Sequence, residues 1–260
     1  MVWSVALDIG HDEGGFPVSR PGTLLRRSSN DWEGTEISET TRLKPNLRDL
    51  WNYVDWKSGD KKKKLAKEAI NRSGGGLVEF SMKLFGNDEI LHHIAKKTSS
   101  LKCIRFAMCG QLSDGLVELA GLLEEVDLRF SLYTNEAIEA VGCSCKHLKS
   151  VRLDGRGVKL PIGIDEEEFN KLAFGIGKNM PQVRRLEIFR NSLTENGLQG
   201  ILDGCRELEY LDLRHCLCIM DDDLMKVCAD KINVLRSPMD EDIGDFDWEE
   251  RNFVYPLFPL

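Results

Sequence analysis

Apolar residues fall on one skeleton, Leu-x-x-Leu-x-Leu, that returns along the second half of the chain and well before it. Its instances are Leu77-x-x-Phe80-x-Met82, Leu101-x-x-Ile104-x-Phe106, Leu123-x-x-Val126-x-Leu128, Leu148-x-x-Val151-x-Leu153, Val183-x-x-Leu186-x-Ile188 and Leu208-x-x-Leu211-x-Leu213. Their first positions lie 24, 22, 25, 35 and 25 residues apart, and the long step holds an insertion around Gly155 to Asp165. Within each skeleton the alternation has the period of a strand; between skeletons it changes to about 3.6, as in Leu198, Ile201, Leu202 and Cys205. Each unit therefore reads as strand, turn and helix, with Asp114-Gly115 and Asn196-Gly197 as helix starts.

The units are copies of one another. Residues 136–153 align without a gap on residues 196–213, matching Cys145 with Cys205, Leu148 with Leu208, Val151 with Leu211 and Leu153 with Leu213. A single unit cannot bury its own apolar face, whereas a stack gives one continuous core. The predicted fold class is α/β: a leucine-rich-repeat solenoid, a short curved horseshoe with parallel strands on its concave face and helices on its convex face. Leu65, Ala66, Ala69 and Ile70 predict a first helix over 61–71, ended by Gly74-Gly75-Gly76. Leu224, Val227, Cys228, Ile232 and Leu235 predict a closing helix and a rudimentary seventh unit before Pro238.

The repeats carry a resemblance. Cys109 and Cys216 follow strands, Cys145 and Cys205 end helices, and phrases such as Asn71-Arg-Ser-Gly-Gly75, Gly86-Asn-Asp-Glu-Ile90 and Asn191-Ser-Leu-Thr-Glu-Asn-Gly-Leu198 accompany them. In these features the chain resembles the plant F-box/leucine-rich-repeat proteins of the cysteine-containing class, over about residues 46 to 236. The resemblance implies a substrate-recognition subunit of a Skp-cullin-F-box ubiquitin ligase, whose repeats hold a protein substrate while an F-box docks on the Skp adaptor. Asn46-Leu-Arg-Asp-Leu-Trp51-Asn-Tyr-Val-Asp55-Trp56 is similar to the end of that F-box, so Leu50 and Trp51 are the implied adaptor contacts. The Gly10–Thr41 stretch is polar and shows no F-box start, and the F-box is expected to be largely missing or degenerate, through loss or a misjoined first exon. The expected organisation is a poorly structured segment 1–45, an F-box-like remnant 46–60, a repeat domain 61–236 and an acidic tail 237–260. The alternative is a free-standing repeat protein that binds a partner without the adaptor.

Charge sharpens this division. Of a net −8, most belongs to the tail, where Asp240, Glu241, Asp242, Asp245, Asp247, Glu249 and Glu250 face Arg251 alone. A nearly neutral body argues against a general nucleic-acid binder, and no apolar run reaches the roughly 18 residues of a membrane span. Nothing at the N-terminus reads as a signal peptide, so the eight cysteines are expected to be reduced thiols in a cytosolic or nuclear protein.

Residue types capable of chemistry are present without the spacing that chemistry needs. Cys143-x-Cys145 and Cys216-x-Cys218 lie in different repeats and lack the second pair of a zinc site. His92, His93, His147 and His215 have no nucleophile motif beside them. Gly74-Gly75-Gly76 lacks the Lys-Ser/Thr of a phosphate loop, Lys61–Lys64 reads as a solvated helix face or an import signal, and Glu166–Glu168 suits a helix N-terminus. No enzyme, cofactor or metal site is expected.

What remains is the concave face. With skeleton positions 4 and 6 in the core, positions 3, 5 and 7 point away from it. Arg105, Asp127, Arg129, Arg152, Arg185, Glu187, Phe189, Tyr210, Asp212 and Arg214 occupy these positions and are the candidate partner-binding residues. The charges also fit simple pairing across strands for solubility. Arg185, Phe189, Tyr210 and Arg214 form the favoured patch, since exposed aromatic and arginine side chains anchor interfaces.

Overall fold

Backbone hydrogen bonding sets strands about 4.8 Å apart, whereas packed helices stand 8–10 Å apart. A stack of strand–helix units therefore bends toward its strand side, and this chain forms such a solenoid. The computed structural model describes residues 3–7, 23–27, 56–83, 85–154 and 166–240. In chain order these form β1 (Trp3–Leu7), β2 (Thr23–Arg27), α1 (Trp56–Arg72), β3 (Leu77–Lys83), α2 (Asp88–Lys97), β4 (Cys103–Ala107), β5 (Gln111–Leu112) and α3 (Asp114–Leu119). A 3₁₀ turn (Ala120–Leu122) leads to β6 (Glu125–Asp127), β7 (Leu132–Tyr133), α4 (Asn135–Ser144), β8 (Ser150–Arg152) and α5 (Glu166–Asn179). The array ends with β9 (Arg185–Glu187), α6 (Glu195–Gly204), β10 (Tyr210–Asp212), α7 (Asp222–Lys231) and β11 (Val234–Arg236).

The strands make a nine-stranded sheet in the order β11-β10-β9-β8-β6-β4-β3-β1-β2, with β5 and β7 as a separate parallel pair. From β3 to β11 the pairing is parallel and in register with the skeleton. Position 3 thus runs Cys103, Glu125, Ser150, Arg185, Tyr210, Val234, and position 5 runs Arg105, Asp127, Arg152, Glu187, Asp212, Arg236. Positions 1, 4 and 6 of all six skeletons are buried, and with Leu91, Ile94, Leu116, Leu119, Ile138, Val141, Ile176, Leu198 and Ile201 from the helices they form one core. Helices α1 to α6 pack each on the next.

Adjacent repeats are joined by more than apolar contact. The helix N-termini are tied across repeats: Asp88 accepts from Ser113 N (2.7 Å), Asn170 from Thr194 N (2.9 Å) and Glu195 from Met220 N (2.9 Å). Buried thiols also tie the stack: Cys109 donates to Met82 O, Cys205 to Ile176 O and Cys216 to Ile188 O, each in the preceding repeat, while Cys145 donates to Leu123 O at the start of its own. After four of the strands the residue at position 8 is left-handed: Met108, Phe130, Arg190 and His215 have φ between 53° and 62°. That costs a side chain on the order of 1 kcal/mol or more. In return the amides of Met108, Arg190 and His215 reach Arg129 O, Arg214 O and Pro238 O of the following repeat. Between α5 and α6 the approach is so close that a Cβ on Gly204 would lie 1.8 Å from Gly177 O.

The structure departs from the sequence expectation at the ends. Within the segment 1–45, β1 pairs in parallel with β3 and antiparallel with β2, so the N-terminal edge of the sheet is covered. The first helix begins at Trp56, inside the expected F-box-like remnant. Leu65 and Val227 are exposed, each on a helix that among the described residues has a repeat on one side only. Leu50 and Trp51, the 155–165 insertion and the tail beyond Asp240 lie outside the described residues.

The register yields a direct test. Leu153 and Leu213 are wholly buried at position 6. Leu153→Asp or Leu213→Asp places an unpaired charge there, and loss of the cooperative thermal transition by circular dichroism is expected. A normally folded variant would show the register to be wrong.

Candidate functional site: the concave face

Regular alternation turns positions 3, 5 and 7 off the helical side, and parallel pairing stacks each position into a column. Like charges in one column would repel at about 5 Å. The position 5 column therefore alternates sign from Arg105 to Glu187, and its charges are paired. Arg105 bonds Glu125 at 3.1 Å, and Asp127 accepts from Arg129 (3.0 Å) and Arg152 (3.3 Å). Arg152 reaches onward to Glu187 (2.8 Å), which also takes Arg185 (2.6 Å). Asp212 holds Arg214 by Nε (3.0 Å) and Nη2 (2.6 Å) while accepting the Arg214 backbone amide at 3.0 Å.

This network buries much of what the alternation assigns to the open face. Asp127, Glu187 and Asp212 are buried, and so are Phe189 and Arg214, at 4% and 2% exposure. Phe189 and Arg214 are thus not the exposed anchors the sequence predicts. Phe189 lies edge-on to His215 with ring centroids 4.9 Å apart, and the guanidiniums of Arg190 and Arg214 stand 5.1 and 5.8 Å from its ring. The sheet's curvature crowds these side chains together, and a planar guanidinium bound in two places has nowhere else to lie. A signal for the buried pairs exists in the sequence, where Asp127-Leu-Arg129 and Asp212-Leu-Arg214 repeat one tripeptide at equivalent positions.

Five of the predicted residues stay partly accessible: Arg105, Arg129, Arg152, Arg185 and Tyr210. The Arg185 guanidinium stacks over the Tyr210 ring at 3.7 Å while bonded to Glu187, which fixes a flat cation–aromatic surface. Burial works against the Arg152 charge, but the Glu187 hydrogen bond and the Asp127 charge outweigh it and hold its pKa above the ordinary value. Burial likewise opposes Arg105, and the charges of Glu125 and Glu79 contribute to a net upward shift. The face presents permanent cations in fixed positions.

Burial pushes the thiols of Cys103, Cys205 and Cys216 up to about 12, so they remain protonated. Among the described residues no group of three His, Cys, Asp or Glu is placed to hold a metal, and no helix is long and apolar enough to cross a membrane. His92 pairs with Glu118 and His93 meets Asn71 on helix surfaces. Lys62 of the lysine run lies 4.6 Å over the Phe85 ring.

A second charge column escaped the sequence reading. At position 2, Lys102, Glu124 and Lys149 form one cluster, and Arg184 with Glu207 and Glu209 another. Hydrogen bonds from Lys102 and Lys149 draw the Glu124 carboxyl down to about 2. A carboxyl lowered in the folded state stabilises above its unfolded value near 4.5, and that contribution is lost as the pH falls toward 2. Glu124→Gln should flatten the stability profile across that window in urea titrations, by less than about 1 kcal/mol because the group is partly solvated. The buried pair behaves differently. Arg214→Ala leaves Asp212 buried without its cation, a cost of about 3–5 kcal/mol, whereas Arg185→Ala should shift stability by less than about 1 kcal/mol in the same titration.

No family model matches the chain. Among curated proteins of Arabidopsis thaliana, F-box protein SKIP19 is 34% identical over 194 residues, 72% of this chain and 62% of that protein. F-box/LRR-repeat protein 23 is 35% identical over 184 residues, 68% of this chain and 40% of its own, and F-box/LRR-repeat protein 9 is 36% identical over 156 residues, 58% and 61%. The chain spans between 40% and 62% of the length of these relatives. On these likenesses over its repeats, the chain belongs to the plant F-box/leucine-rich-repeat family.

Proposed function

We propose that the protein is a non-catalytic recognition subunit that holds a protein substrate on its concave face for a Skp-cullin-F-box type ubiquitin ligase. The observation that carries this reading is the fixed concave surface of Arg152, Arg185 and Tyr210. Their side chains are ordered before any partner arrives, so binding sacrifices little rotamer freedom. Arg and Tyr are also the residue types that dominate interface energetics. Protected thiols and the lack of convergent nucleophile and base among the described residues fit a subunit that positions a substrate, with the transfer done by other components. Reduced cysteines fit the cytosol or the nucleus.

Adaptor binding rests on the similarity of residues 46–56 to the end of an F-box. Calorimetry of residues 1–260 against a plant Skp adaptor, with Trp51→Ala in parallel, tests it. Micromolar or tighter binding that the substitution weakens at least tenfold is expected. A folded sample that binds no adaptor would instead be a free-standing repeat protein.

A further inference from the structure

The charges of the concave face are unevenly buried. At positions 3, 5, 7 and 8 of the units from β8 to β11, the acids among the described residues are Asp154, Glu187 and Asp212, and all three are buried. The cations at the same positions are Arg152, Arg185, Arg190, Arg214 and Arg236, and of these only Arg214 is buried. Arg152 and Arg185 keep 31% and 43% of their side chains in solvent, against 6% for the Glu187 that both hold. Toward β3 the accessible charge is mixed instead, since Glu79 and Glu125 are as open as the Arg105 that lies between their strands. Acids below and cations above give the last four strands a cationic surface.

These cations form one patch. Arg152 and Arg185 reach the same Glu187 oxygen from neighbouring strands, at 2.8 and 2.6 Å. The Arg185 guanidinium lies on the Tyr210 ring, and that of Arg190 stands over Phe189, two residues along from Glu187. Arg236 ends the position 5 column in register with Asp212, whose carboxylate Arg214 already takes with two nitrogens. The Arg236 Nε has no hydrogen-bond partner among the described residues. Arg185 bonds Glu187 through Nε, so the outer edge of its guanidinium, which carries both Nη groups, can take a second carboxylate. From β8 to β11 is three strand spacings, about 14 Å, which four or five residues of extended chain cross.

We propose that the segment held on this face is an extended acidic peptide of the substrate, whose Asp and Glu carboxylates bond Arg152, Arg185, Arg190 and Arg236 while an adjoining side chain packs beside Tyr210. The inference rests on the concave face being the substrate surface and adds the class of substrate. Separate carboxylates fit better than one phosphate: Glu187 lies between Arg152 and Arg185 and repels a dianion drawn to both, whereas single charges can meet each guanidinium at its own outer edge. A nucleic-acid strand fits less well. Its bases need open aromatic faces to stack on, and Arg185 covers one face of Tyr210.

Fluorescence anisotropy with the full-length protein tests the proposal. The labelled probes are a peptide of about ten residues in which Asp and Glu alternate with Ser and Leu, long enough to overrun the patch, and three comparators: its Asn/Gln twin, that twin with one phosphoserine, and single-stranded DNA of similar length. The acidic peptide should bind about tenfold tighter than each comparator, and Arg185→Ala with Arg190→Ala should weaken it about tenfold. Arg184→Ala removes a neighbouring cation held by Glu207 and Glu209 in the position 2 column, and should leave the affinity within about twofold. The thermal transition of each variant checks its folding. Unchanged affinity in the folded double variant, or no binding of the acidic peptide, overturns the proposal, and so does tighter binding of the phosphopeptide or the DNA. An amide twin that binds equally well and depends on Arg185 would overturn the acidic class while leaving the concave face as the binding surface. The ligase reading is judged apart from all of these, by the adaptor calorimetry with Trp51→Ala.

Discussion

Parallel backbone pairing at one fixed register governs this molecule. Once Ile104, Val126, Val151, Leu186 and Leu211 stand in one row, every other position of the repeat is forced into a row of its own. Neighbours in a row are about 5 Å apart, so like charges repel there unless each has its own cation, as Glu187 and Asp212 have in Arg185 and Arg214, and one guanidinium can serve two carboxylates. The alternation of Arg105, Asp127, Arg152 and Glu187 follows from that spacing. So do the left-handed residues at the strand exits, whose strain is balanced by amides aimed at the next repeat.

The same constraint divides the concave face into two kinds of charge. Asp127, Asp212 and Arg214 are structural, since each aspartate is held by the arginine two residues on, Asp127 by Arg152 as well, and all three are closed off from water. Arg152 and Arg185 are held by buried Glu187 but keep part of their surface in solvent. A cation fixed from below and open above is suited to recognition. Cysteine serves the stack in another way: it is small enough to fit between repeats, and its S–H satisfies a carbonyl that the preceding repeat leaves over.

A linear stack has ends, and the ends carry different problems from the middle. Interior helices α2 to α5 are packed on both flanks, so their apolar stripes are covered. Among the described residues, α1 and α7 have a repeat on one flank only, and on them Leu65 and Val227 break the pattern their sequence sets.

The sequence by itself determined the period, the strand register, the burial of all six skeletons and the family, because hydrophobic alternation and repeat spacing are local properties that a stack must obey. Glu166 opens α5 and Gly74-Gly75 end α1 for equally local reasons. Only the tertiary structure decided which outward residues remain outside. Alternation gives the side of the sheet a residue leaves from, but exposure depends on what the neighbouring strand and the curvature lay over it. Phe189 and Tyr210 occupy equivalent-looking outward positions, yet Phe189 is roofed by His215 and Arg190 while Tyr210 keeps an accessible ring beneath Arg185. Cross-strand proximity arises between residues 20 to 35 apart in sequence, and no local pattern records it.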